Sequence, residues 1–539
     1  GAQLGWSVSG AGDVNGDGYA DVIAGAPTFD GAGFPCPIGQ TCPRIDAGMA
    51  QVYLGGSGGL ASSPAWSTTQ NNQAGAQFGY SVANAGDVNG DGFGDVIVGA
   101  PYYDGAAGVD EGRVFLYLGS ASGLATSPSW FKSGGQANAR FGIDVSGAGD
   151  VDGDGYSDVI IGADGYGATG AAFLYVGRPT TPTFPEGLSS TPRQTFVGLQ
   201  AGSSFGITVT TAGDLNRDGF ADLAIGAPTF LDDPDFGPQI GMVSVYHGAL
   251  AGPSATPTQN LFGDFGSGGR FGNGVAGAGD VNGDGYGDLV VGDHWFSSPA
   301  GFAQGIVYVY HGSPVGISTP ISVRSIQDCA VSFCDFGRDV AGAGDVNGDG
   351  FADVLIGSYR LSDVLSESGG VFVHLGNEGR GTPLQPLQSL GFGGAARALL
   401  GATPNWFDAS MNLKSPGGRS RVQLELETKT VGQNFNGLST LKSSLLDSVL
   451  NPRTALSKLG NPNDVFLWRA RLRSASPLFG RSRWISLPEN APREMDVRVL
   501  PEPGMAIALG AGMAGLVGLA RRRRSLRKVA VAGDPAGRP

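Results

Sequence analysis

An all-β fold, specifically a β-propeller, is predicted by three features of this 539-residue sequence. A short acidic, glycine-rich segment recurs six times, beginning at Asp13, Asp87, Asp150, Asp214, Asp280 and Asp345, at intervals of 74, 63, 64, 66 and 65 residues. Each copy runs directly into an apolar stretch, as in Asp95-Val96-Ile97-Val98-Gly99. Glycine supplies 94 residues, well over twice its usual share of roughly 7%, and the excess sits in the repeat turns. A fixed period of this kind is the mark of a repeat architecture.

Within one period the elements read in order. Tyr80-Ser81-Val82-Ala83 is a short strand leading into the acidic segment. The run from Asp95 is continuously apolar, as expected of a strand covered on both faces. After a variable loop, residues 112–119 alternate as a third strand, and a weaker fourth lies near Trp130. Four strands per period, repeated radially, describe a propeller blade.

The acidic segment carries the chemistry. In the first copy Asp13, Asn15, Asp17 and Asp21 occupy positions 1, 3, 5 and 9, Gly18 permits the turn at position 6, and Tyr19 offers its carbonyl at position 7. The corresponding sets are Asp87, Asn89, Asp91, Phe93 and Asp95; Asp150, Asp152, Asp154, Tyr156 and Asp158; Asp214, Asn216, Asp218, Phe220 and Asp222; Asp280, Asn282, Asp284, Tyr286 and Asp288; and Asp345, Asn347, Asp349, Phe351 and Asp353. Hard oxygens on alternate residues of a tight turn suit Ca²⁺, whereas Mg²⁺ prefers few protein ligands and retained waters. An EF-hand requires Glu at position 12, where this chain has Ala24, Val98, Ile161, Ile225, Val291 and Ile356. The Asp at position 9 takes the place of that Glu. The competing reading is an Asx-rich turn without metal, in which clustered carboxylates would repel one another.

These residues resemble FG-GAP repeats of the integrin alpha-subunit type. Phe78-Gly79 precedes the second loop and Gly99-Ala100-Pro101 follows it; Phe205-Gly206 and Gly226-Ala227-Pro228 flank the fourth. The resemblance covers residues 1–380 and implies a propeller with calcium bound in loops on one face. Four copies depart from the pattern, with Leu4-Gly5 in the first, Arg217 for a loop glycine in the fourth, Gly292-Asp293-His294 in the fifth and Gly357-Ser358-Tyr359 in the sixth. Similar propellers have seven blades, so a seventh is expected from sequence upstream of Gly1, where a signal peptide is also expected; closure at six is the alternative.

The net charge of −14 is divided unevenly. Residues 1–380 hold 38 Asp and Glu against 12 Lys and Arg, and half of those acids lie in the six loops. An anionic surface of this kind argues against a nucleic-acid partner. Cys36 and Cys42 share one insertion and Cys329 and Cys334 another, fitting two small-loop disulfides in an oxidising compartment; a zinc site would require the two insertions to meet. His247 and His311 stand at the strand-end position held by Leu54 in the first repeat, and His374 at that of Tyr53, and all three read as tolerated strand residues. His294 has no evident catalytic partner in the sequence. No serine elbow, zincin helix or phosphate loop is present, and the Asp spacing fits one ion better than a glycosidase acid pair.

Beyond residue 380 the repeat stops. In residues 381–500, Arg421–Glu427 reads as an exposed antiparallel strand, with further strands at 465–472 and 495–499. The Trp468-Arg469-Ala470-Arg471 strand and Ser482-Arg483-Trp484 resemble a fibronectin type III-like sandwich. Its arginines are either a solvated ladder or a site for acidic polysaccharide. Residues 501–539 resemble a bacterial PEP-CTERM sorting signal, with Pro501-Glu502-Pro503, an uncharged transmembrane segment at 504–520 and Arg521–Arg524. The whole reads as a secreted or cell-surface protein, held at least transiently in the membrane and processed by a sorting protease. Non-enzymatic binding or adhesion to a matrix, glycan or protein ligand is the leading function. A polysaccharide-processing enzyme on a propeller scaffold, or a structural spacer of the envelope, is the alternative.

Overall fold

In the computed structural model the described residues are 2–376, except 36–40, 57, 71–72, 182–184, 233–237, 264–268, 298–303, 318–322, 327–334, 347–350, 359 and 361–368, together with strand segments between 386 and 499. Residues 2–376 form six antiparallel blades. Five are four-stranded, and in each the strands lie side by side in chain order; the second comprises Val82–Gly86, Asp95–Ala100, Arg113–Tyr117 and Trp130–Ser133. The sixth comprises Phe336–Gly344, Asp353–Ser358 and Gly370–His374. The apolar second strands are buried along their whole length in the second to fifth blades, as their uninterrupted hydrophobicity predicts.

The Phe-Gly and Gly-Ala-Pro marks acquire a physical meaning at the blade boundaries. Phe78 is fully buried between Ile23 and Val52 of the first blade and Val96 and Val98 of its own. Phe141, Phe205, Phe271 and Phe336 repeat this placement. Each such side chain contributes about 1.5–3 kcal/mol of burial. The glycine after each Phe has a positive φ, 85° at Gly79, a conformation that side-chain-bearing residues rarely adopt. Its carbonyl presses on the glycine that stands at the Gly-Ala-Pro position of the preceding blade, whether or not Ala-Pro follows: Gly79 on Gly25, Gly142 on Gly99, Gly206 on Gly162, Gly272 on Gly226 and Gly337 on Gly292. Only a residue without Cβ fits there.

The first strand of each blade packs on the first strand of the next from the first blade to the sixth, whereas among the described residues no comparable packing joins the sixth to the first. The faces that flank this seam are apolar and open. Val8 is 60% exposed, against 4% for the corresponding Val82. Val371 is 73% exposed, against 0% for Val114. Leu4 stands exposed where the other blades bury Phe.

Beyond residue 376, strands 386–389, 406–412 and 453–459 form one sheet, and 401–403, 497–499, 465–474, 421–430 and 441–442 another, with 446–447 also paired to 421–430. The strand at Arg421 is longer than expected and is not simply exposed. Adjacent residues Glu425 and Leu426, which point to opposite faces, are both buried, and the strand is paired on both edges, by Val465–Ser474 on one and by short strands on the other. The register sets Arg471 opposite Glu425 and Arg469 opposite Glu427. Among the described residues no helix is long and apolar enough to cross a membrane. The expected segment 504–520, the sorting signal and the side chains of all four cysteines lie outside the described residues.

Candidate metal centre

Each acidic loop joins the first and second strands of its blade. A β-bulge precedes it, at Ala85-Gly86 in the second blade, where the register slips and Gly86 takes a φ of 81°. The bulge turns the chain so that Asp87 heads the loop. Inside the loop the acceptors meet a set of backbone donors. Asp87 Oδ2 accepts the amide of Gly92 at 2.8 Å, Asn89 Oδ1 that of Asp91 at 3.1 Å, and Asp91 Oδ1 that of Phe93 at 3.0 Å. The first, fourth and fifth loops repeat this set.

The position-9 Asp does more than sequence spacing suggests. In all six blades one of its carboxylate oxygens accepts the amide of position 2, at 2.7–2.9 Å. The other accepts the amide of the glycine two residues beyond the third strand, at 2.8–2.9 Å. Asp95, Asp158, Asp222, Asp288 and Asp353 are fully buried. Each carboxylate therefore staples loop, second strand and third strand together.

The electrostatics of the cluster are unfavourable on their own. Burial pushes the carboxyls of Asp95, Asp158 and Asp222 well above the usual carboxylate range, against the pull of the two backbone amides, and neighbouring loop carboxylates add to the rise. Asp87, Asp150 and Asp152 shift the same way, again chiefly through burial. In the third loop, oxygens of Asp150, Asp152 and Asp158 all lie within 4.8 Å of one another. Asp152 Oδ1 is shut off from solvent without a hydrogen-bond partner, an arrangement that is costly unless a cation completes it. An all-oxygen donor set whose carboxylates are raised by burial and, to a lesser degree, by one another fits a hard divalent ion.

Of the sequence-predicted residues, Asn347 and Asp349 lie outside the described residues; the others stand in their loops. Two residues that sequence reading assigned to plain strand positions also belong to this environment. His247 Nδ1 is 3.3 Å from Asn216 Nδ2, and His311 Nδ1 is 3.4 Å from Asp288 Oδ1. The contact with Asp288 holds the His311 imidazole above its usual range, whereas burial lowers His247. Their place in the strand matches Leu54 and Leu118, and nothing in the pattern marks them as loop neighbours. His294 is buried at the other end of the fifth blade's second strand. There burial, with Arg338 and Arg270 nearby, pushes it down to about 3.

The FG-GAP repeat family model matches residues 4–35, 78–117, 141–176, 205–246 and 336–374. The propeller thus resembles the FG-GAP, integrin-alpha-like type. Five of the six blades carry a match, and the fifth, with Asp293-His294 in place of Ala-Pro, falls between two of them. Integrin alpha-5 of Xenopus laevis is 33% identical over 246 residues, which is 44% of this chain and 21% of that protein. Integrin alpha-PS2 of Drosophila melanogaster is 34% identical over 175 residues, 31% of this chain and 12% of that protein. Human integrin alpha-8 is 36% identical over 172 residues, 31% of this chain and 15% of that protein. The chain thus spans about a fifth or less of the length of these relatives.

Proposed function

We propose that this is a calcium-loaded propeller that works outside the cell as a non-enzymatic binding or adhesion module, with a matrix, glycan or protein ligand. The observation that carries the reading is the sixfold loop with its buried, doubly bonded position-9 Asp and like-charged neighbours, built on a propeller similar to those of integrin alpha subunits. Calcium at Asp13, Asn15, Asp17, Tyr19 and Asp21, and at the equivalent residues of the other loops, would neutralise the clustered carboxylates and hold the loops rigid. Rigid loops on one face leave the opposite ends of the strands, which carry the variable loops, to present a stable surface. Binding to an array of glycans and matrix proteins, compared with and without chelator, tests this. Calcium-dependent retention of one ligand class supports the reading, and turnover of a polysaccharide in the same wells would replace it with the enzymatic alternative.

We also infer a seventh blade in the open seam, because Leu4, Val8, Val371 and Val373 occupy positions that the other boundaries bury. For the segments beyond the propeller, we retain a fibronectin type III-like sandwich at 381–500 and a PEP-CTERM-like sorting signal at 501–539 that is cleaved after export. Disulfides Cys36–Cys42 and Cys329–Cys334 accompany the extracellular location.

A further inference from the structure

We propose that the aromatic residue at position 7 of each acidic loop is a positioning residue for the loop before it, so that neighbouring loops take up calcium as coupled sites. The inference rests on the calcium reading above and adds to it.

Two contacts recur at the boundaries between loops. First, the amide at position 8 of one loop donates to the position-1 carbonyl of the preceding loop. The five pairs are Gly94 to Asp13 at 2.9 Å, Ser157 to Asp87 at 3.1 Å, Ala221 to Asp150 at 3.0 Å, Gly287 to Asp214 at 2.8 Å and Ala352 to Asp280 at 2.9 Å. Second, the position-7 ring lies across the position-4 glycine of the preceding loop. A Cβ on Gly16 would come within 2.7 Å of Phe93, one on Gly90 within 2.7 Å of Tyr156, and one on Gly153 within 2.6 Å of Phe220. The fourth loop departs in sequence but keeps the relation. Arg217 stands in place of the glycine at a φ of 60°, and its guanidinium lies over the Tyr286 ring, 5.9 Å from the centroid. Among the described residues no preceding loop lies beside Tyr19 of the first loop, and it is 43% exposed.

The linking groups sit between ligands. Position 7 offers the carbonyl ligand of its loop, position 8 follows it, and position 9 is the stapling Asp. On the other side, position 1 is the first ligand of the preceding loop, and position 4 lies between two more. An ion that fixes positions 7 to 9 of one loop therefore also fixes the ring and the amide that hold positions 1 and 4 of its neighbour. Coupling of binding free energies is reciprocal, so the effect runs both ways along the row of loops.

The test is peptide-resolved hydrogen exchange of the full chain across a series of free-calcium concentrations, which gives a midpoint of protection for each loop. Phe220→Ala leaves all five ligands of the third loop (residues 150–158) in place and removes only the ring laid over it. We expect the third-loop midpoint to rise at least about fivefold, the low end of typical coupling. Phe220→Tyr, the residue found naturally at this position in three of the loops, should restore it to within about twofold. Tyr19→Ala should leave the second to sixth loops unmoved. Should Phe220→Ala fail to fold, Asp218→Asn, which weakens the fourth loop's ion at constant volume, carries the same expectation for the third loop. An unchanged third-loop midpoint in either variant, or an equal shift in all loops including after Tyr19→Ala, overturns the coupling while leaving calcium binding intact. Absence of calcium-dependent protection in every loop of the parent protein overturns both readings.

Discussion

The carbonyl of Gly79 in the second blade rests against the Cα of Gly25 in the first, so closely that a methyl group on Gly25 would overlap it. The same glycine pair closes the next four boundaries. At the seam the pair is incomplete. A Cβ on Gly357 would meet nothing nearer than Asp339 of its own blade, 3.5 Å away.

Gly99→Ala should therefore destabilise the propeller by about 1–3 kcal/mol through overpacking against Gly142, read as a lower denaturation midpoint. Gly357→Ala should be near neutral if the seam is open. An equally large loss for Gly357→Ala would mean that a seventh blade occupies the seam in the protein tested. Cysteines placed at Val8 and Val373 report on the same point, since both react with a thiol label in an open seam and neither does in a filled one.

Asp95→Ala should destabilise the second blade with calcium present or absent. It leaves the buried amides of Val88 and Gly119 without their acceptor, at about 1–3 kcal/mol for each unsatisfied group. Asp91→Ala removes a carboxylate that is largely exposed, so its effect should appear only when calcium is present. Chemical denaturation of both variants with and without chelator separates the stapling role from the ion-holding role.

Acid should stabilise the chelated protein. Asp144, immediately before the first strand of the third blade, accepts bonds from Ser81, Val145 and Val209. Burial nevertheless pushes its carboxyl up to about 7, with Asp339 contributing. A carboxyl raised in the folded state favours folding below its unfolded value of 3.8 and loses that contribution as pH rises through its folded value. The loop carboxylates shift the same way. The melting temperature without calcium should thus fall between about pH 4 and pH 8, and Asp144→Asn should flatten part of that fall. Saturating calcium should flatten the part that comes from the loops, because the ion favours their charged form. A chelated protein that grows more stable across this range would contradict the electrostatic picture.

Local pattern made the blade legible. Alternation, apolar runs and the turn chemistry of Asp, Asn and Gly act within about ten residues, and each strand lies within a few residues of its expected place. The features that were not legible depend on pairing over distance. Asp95 looks like a ligand beside its own loop, but its second partner is Gly119, 24 residues on. His311 reads as a strand residue because its approach to Asp288 exists only once the second and third strands pair. The links between loops join residues of different blades, such as Asp13 and Gly94, and no single repeat contains both. Likewise Val8 and Val371 carry an ordinary apolar pattern, and only the missing neighbour distinguishes them.

Calcium held in the six loops should stabilise the propeller. The most direct measurement is calcium stoichiometry by native mass spectrometry, paired with a thermal melt before and after chelation. One ion per loop is expected, lost on chelation. With a dissociation constant of about 10 μM and about 1 mM free calcium, each site should contribute about 2.7 kcal/mol of stability, so the melting temperature should fall markedly on chelation. A protein that retains no calcium, or that melts at the same temperature with and without it, would show that the loops are not stabilising calcium sites.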